Sequence, residues 1–289
     1  MNKWIIGLVL MLGLAAGVVY AARLSSVTKQ IEAADIKSMD VDLSLAVGKF
    51  ELSQARLPKG IPAEFRGDYD ESKYEYTHTF EQHNGSGDFA FESQTVDGRN
   101  IVNNVGDENR WEFSFSPDVD CNFDIEIGAA QANLDFGNLT VSDLKLDIGA
   151  AEADIDFSSP NRTVLRDLKI NAGACDLQMK HLGNSKFEFL NFDGGMGSFE
   201  LDFSGAFDFE AEASIEVGMG SIEIVIPEDV GVRLEAEENW FNSIEFPKGM
   251  FNKVRGRDGI WETDNFKTAT GKLTLVLDVG MGSAEIKFR

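Results

Sequence analysis

The residues of this chain that could do chemistry are three histidines, two cysteines and a large surplus of carboxylates. His78-Thr79-Phe80-Glu81-Gln82-His83 comes near a metalloprotease string, but its spacing fits neither HExxH nor HxxEH. On a strand, His78 and His83 fall on opposite faces and cannot share a metal. The third histidine, His181, has no such neighbour. Cys121 and Cys175 are too far apart for CxxC-type zinc spacing and too few for a disulfide framework, although one bridge is possible in an oxidising compartment. Cys175 reads as a core filler. No GxSxG nucleophile elbow occurs, and Ser198, Ser221 and Ser283 recur as corner elements of a repeat. Gly-x-Gly-Ser superficially resembles a phosphate-cradling turn, yet no following Lys or helix completes it. Catalysis, and a catalytic or cofactor-binding residue, are therefore not expected.

Forty-nine acids against 26 bases give a net charge of −23. Such a surface repels nucleic-acid phosphates and anionic headgroups, and leaves basic partners, divalent cations or plain solvation open. With so many carboxylates, close pairs are inevitable and say little about acid–base catalysis. Hydrophobic residues make up 43% of the chain, enough for a core, and many of the 22 Phe stand on alternating positions, as strands require.

The elements that must position these residues announce themselves by repetition. Gly128-Ala129-Ala130-Gln131-Ala132-Asn133-Leu134-Asp135-Phe136 recurs at Gly149, Asn171, Gly195 and Gly218, in steps of 21, 22, 24 and 23 residues. An early copy stands at Gly48 and a last one at Gly280. After each corner, small or apolar residues alternate with polar or acidic ones, the period of a strand with one buried face. A second alternating run precedes each corner, as in Ala213, Ile215 and Val217. A unit of about 22 residues cannot bury its face alone, so neighbours must stack. The expected fold is all-β, a repetitive parallel β-solenoid following an N-terminal hydrophobic helix, with a β-sandwich as the alternative. Stacking in register would place Ala130, Ala151, Gly173, Gly197 and Gly220 in one column, and Ala132, Ala153, Cys175, Phe199 and Ile222 in another. It would also raise an outward column of Asn133, Asp154, Asp176, Glu200, Glu223 and Glu285. Its members Asp154, Asp176, Glu200 and Glu223 are weak candidates for loosely binding a divalent cation, the alternative being outward splaying and salt screening.

Residues 4–22 are uncharged and long enough to cross a bilayer of about 30 Å. They read as a membrane anchor, with a cleaved export signal as the alternative, since Val19-Tyr20-Ala21 resembles a cleavage site. The organisation expected is thus 1–22 anchor or signal, 23–37 linker, and 38–289 acidic β domain. Within the last, residues 55–120 form a strand-rich insertion and 227–272 an aromatic loop or cap. Trp240, Phe241 and Trp261 are the candidate contact surface; plugging the end of the stack is the alternative role.

The Gly-x-Gly-Ser corners at 195–198, 218–221 and 280–283, the run Ile226-Pro227-Glu228-Asp229-Val230-Gly231-Val232, and Asp258-Gly259-Ile260-Trp261 resemble the toast-rack proteins of bacterial envelopes. These are similar to the C-terminal domain of LiaF-type regulators of the response to cell-wall-active antibiotics. The likeness runs from about residue 38 to 289 and rests on structural motifs. LiaF-type regulators resemble multi-span membrane proteins, whereas this chain has one apolar segment. The resemblance implies a non-enzymatic envelope scaffold or regulatory binding protein with an envelope protein as partner. A secreted adhesin or glycan-binding solenoid is the alternative.

Overall fold

The computed structural model describes residues 24–96, 109–237 and 240–289; the apolar segment 4–22 and its expected helix lie outside them. Among the described residues no helix is long and apolar enough to cross a membrane. The strands are β1 (Leu24–Ile31), β2 (Ser38–Gln54), β3 (Ala63–Asp70), β4 (Tyr74–His83), β5 (Ser86–Thr95), β6 (Asn109–Phe115), β7 (Asp120–Asp135), β8 (Thr140–Ile148) and β9 (Glu152–Asp156). They continue as β10 (Leu165–Lys180), β11 (Phe187–Asp202), β12 (Glu210–Ile226), β13 (Gly231–Ala236), β14 (Asn242–Glu245), β15 (Phe251–Lys253), β16 (Ile260–Thr263) and β17 (Lys272–Phe288). A four-residue helix, α1 (Leu182–Ser185), interrupts them. The fold is all-β.

Each long strand is two arms joined by a corner. In β12 the alternating buried residues before the corner are Ala211, Ala213, Ile215 and Val217; after it they are Ile222, Ile224 and Ile226, with Val225 buried beside the last two. The parity flips because Gly218-Met219-Gly220 turns the strand over, so that both arms face a common interior. The corner demands glycine on two counts. Gly220 has φ +136°, and a Cβ there would sit 2.0 Å from the carbonyl oxygen of Gly197 in the next layer. Gly282 repeats this against Gly220.

The layers pair in parallel. β7, β8 with β9, β10, β11 and β12 stack in chain order. At both ends the order breaks. β2 lies between β7 and the layer made by β5 and β6. β17 lies between β12 and the layer made by β13 and β14. The first and last long strands are thus each covered by a layer from elsewhere in the chain.

Antiparallel strands finish the stack. β3 pairs with β6, β1 with β3, and β4 with β5 at one end; β16 pairs with β13 and β15 at the other. Residues 23–37, expected to be a linker, contain β1, held by eight register pairs to β3. Under the first end lies an aromatic plug of Phe65, Tyr76, Phe91, Trp111 and Phe113. Trp111 is fully buried and donates its indole N–H to Asn109 Oδ1 at 2.8 Å.

The observed register corrects all three expected columns at the same layer, where Cys175 takes the place beside Gly197 that Gly173 was expected to hold. Cys175 pairs with Gly197, not Phe199, and Asp176 pairs with Ser198, not Glu200. Leu177 is the residue that stacks on Ala153 and Phe199. Gly173 lies at the corner of Gly149 and Gly195, where its Cβ would meet the Gly149 carbonyl at 3.0 Å. In this layer the repeat begins at Gly173, two residues after Asn171, where the spacing of the repeat predicts it.

Candidate contact surface

Register decides what the acidic face can do. Its column runs Glu51, Asn133, Asp154, Gln178, Glu200, Glu223 and Glu285. Asp176 stands one outward position away, so the four candidate carboxylates do not form a single ladder. Bases and an amide offset the charge within it. Lys180 Nζ lies 3.0 Å from Asp154, Gln178 donates to Glu200 at 2.8 Å, and Lys287 bridges Glu223 at 2.8 Å and Glu285 at 3.1 Å. Asp176 accepts the Ser198 backbone N–H at 3.3 Å. Of the four expected cation candidates, Asp154 and Glu223 each meet a lysine and Glu200 accepts from an amide, and among the described residues no group of three or more His, Cys, Asp or Glu is placed to hold a metal.

The histidines are dispersed. His78 on β4 packs edge-on to Phe65, and that burial, before the charge of Lys29, lowers its pKa. His83 meets Glu81 at 3.3 Å, and His181 Nδ1 lies 2.7 Å from Asp156. Both cysteines are buried and unpaired. Burial first, then the neighbouring Asp176, pushes the Cys175 thiol up to about 11. Burial raises Cys121 further still. At neutral pH neither is a nucleophile.

The three aromatic candidates separate into two environments. Trp240 is 99% exposed and Phe241 69%, at the corner between β13 and β14. Trp261 is half-buried on β16, its ring 5.3 Å from Phe246. Together with Ile244 and Phe251 these two form the floor of a cleft of about 650 Å³, rimmed by Lys248, Lys253 and Asp258. Lys253 and Asp258 pair at 2.8 Å, holding the Asp258 carboxyl below its usual range. Arg233, bonded to Glu262 at 2.6 Å, stacks over Phe266 at 4.6 Å and fastens this end to β13.

Sequence reasoning gave the middle residue of Gly-Met-Gly-Ser no role. In the structure Met196 pairs with Met219 and Met219 with Met281, all outward on the corner and 55%, 43% and 47% exposed. The next layer brings Phe241, whose carbonyl accepts the Gly282 N–H at 3.1 Å. An apolar ridge therefore runs along the corner and ends at Trp240. The threefold recurrence of Met at one position was the available signal.

Two family models match the chain. One, described as the N-terminal domain of toast_rack, spans residues 21–164; the other, described as cell wall-active antibiotics response LiaF, C-terminal, spans 176–286. Among solved structures, a proposed cell adhesion protein from Clostridium sporogenes is 17% identical over 92% of this chain and 100% of its own, with a TM-score of 0.44. A proposed adhesin from Bacteroides fragilis is 10% identical over 91% and 97%, with a TM-score of 0.33. No curated protein matches the chain.

Proposed function

Since this chain belongs to the toast-rack family, we propose that it is a non-enzymatic, envelope-associated binding or regulatory protein, whose acidic β domain stands outside the cytoplasm as a rigid spacer. The observation that carries this reading is the polarity of the stack. β1 begins at Leu24, directly after the apolar run, and lies at one end; Trp240 and Phe241 lie at the other. From β1 to β14 the ladder takes ten steps. At about 4.8 Å per step the aromatic tip stands roughly 50 Å from the anchored edge. An anchor at residues 4–22 would thus hold one end at the bilayer and present the other to an envelope partner.

A second reading, a secreted glycan-binding adhesin, draws on the cleft floored by Trp261 and Phe246. Aromatic rings beside a carboxylate and two amines suit the faces and hydroxyls of a sugar. Cell fractionation separates the two. The full chain should sediment with membranes and be cut by protease added outside spheroplasts. Replacing residues 4–22 with a short polar start should leave a soluble, protected protein. Recovery of the full chain in the cytosol would sink the proposal, and release into the medium without residues 1–22 would favour the adhesin.

A further inference from the structure

The ridge of Met196, Met219 and Met281 lies between two rows of acid. On its β-arm side stand Asp193, Glu216 and Asp278, paired layer to layer and exposed. On its far side, past Ser198, Ser221 and Ser283, stand Glu200, Glu223 and Glu285. The second row shares Lys287 and Gln178. The first has no basic side chain within ion-pair reach among the described residues: the outward neighbours preceding it in the same layers are Asn191, Ser214 and Val276. In cross-section the corner reads acid, methionine, serine, acid.

Like charges on adjacent layers are a standing cost, since they repel even in bulk water. An exposed apolar row adds to it. A partner that carries an apolar stripe between two rows of Lys or Arg relieves both at once. Methionine suits such a partner, because its unbranched, polarisable side chain repacks around different shapes. We propose that this corner is the docking site for a cationic amphipathic helix of a partner protein. This rests on the reading of the domain as a contact platform and gives the partner its chemistry.

The dimensions agree. Rows about 4.8 Å apart meet a helix whose turns rise about 5.4 Å, so a helix laid along the ridge sets one turn near each layer. From Met196 to Phe241 the ridge crosses three ladder steps, roughly 14 Å, or about ten helical residues. Charge excludes the other occupants. A second copy would bring the same acids face to face, and an anionic lipid surface would be repelled.

The probe is a synthetic 14-residue peptide with a leucine stripe flanked by lysines at helical spacing, labelled for fluorescence anisotropy. It is titrated against the full chain in phosphatidylcholine nanodiscs, with empty nanodiscs as background. The ordered peptide should bind at least about tenfold tighter than a scrambled peptide of the same composition, and more weakly as salt rises. The triple variant Met196→Ser, Met219→Ser, Met281→Ser should lose about tenfold in affinity, with an unchanged circular dichroism spectrum. Should that variant not fold, Asp193→Asn with Glu216→Gln and Asp278→Asn, all at exposed positions, should give a similar loss. Equal binding of ordered and scrambled peptides, wild-type affinity in either triple variant, or no binding at all would overturn the proposal. None of these outcomes bears on where the chain resides, which fractionation decides separately.

Discussion

At Gly197, Gly220 and Gly282 the chain meets two demands that no other residue satisfies: a positive φ, and a carbonyl within about 2 Å of where a Cβ would stand. Gly220→Ala must therefore displace the neighbouring layer, and should cost several kcal/mol, about 3–5, in urea unfolding. Cys175, in the same column one layer away, is buried against this corner. Its thiol should react with a disulfide reagent at neutral pH only as fast as the domain unfolds; stoichiometric labelling within seconds would refute its placement. The error at this residue has a physical origin. Asn171-Ala172-Gly173-Ala174 looks like itself when slipped by two, and a two-residue slip in a strand leaves every side chain on its original face. Alternation could identify Cys175 as inward but could not choose its column. The better match of Gly173-Ala174-Cys175-Asp176 to Gly149-Ala150-Ala151-Glu152 held the answer.

Between elements, stacking turns single carboxylates into rows. Glu216 stands between Asp193 and Asp278 with no base in reach among the described residues. Glu216→Lys should raise the melting temperature by roughly 2–4 °C in low salt. The gain should vanish near 1 M salt, where the screening length is about 3 Å. At the β1 end the charges work differently. Asp70 is buried and its pKa is lowered, first by the Ser72 hydroxyl, against a burial that opposes, with the Ser72 N–H and Lys73 assisting. A carboxyl depressed by folding stabilises fully above its unfolded value near 4, and that stability drains as pH falls through the lower folded value. Acid should loosen this end, and Asp70→Asn should flatten the acid limb of the melting profile. The strands and corners were legible because period 2 and recurring glycine leave plain marks. The layer order at the ends was not. Whether β2 is covered by β5 and β6 depends on which edge remains unpaired after the middle has stacked, and no local pattern records that.

Across the whole molecule, both ends use one device: a long strand is sandwiched, and a short antiparallel set closes what remains. The result is a column with β1, which follows the apolar segment in sequence, at one end and Trp240 near the other. The central claim is that this far tip is where the protein meets its partner. Site-specific photocrosslinking in intact cells tests it most directly, with a benzophenone side chain placed at Trp240 or, near the opposite end, at exposed Glu71. The account predicts a discrete crosslinked species from position 240, absent when Phe241→Ser accompanies it, and none from position 71. Adducts from position 71 with none from position 240 would contradict it.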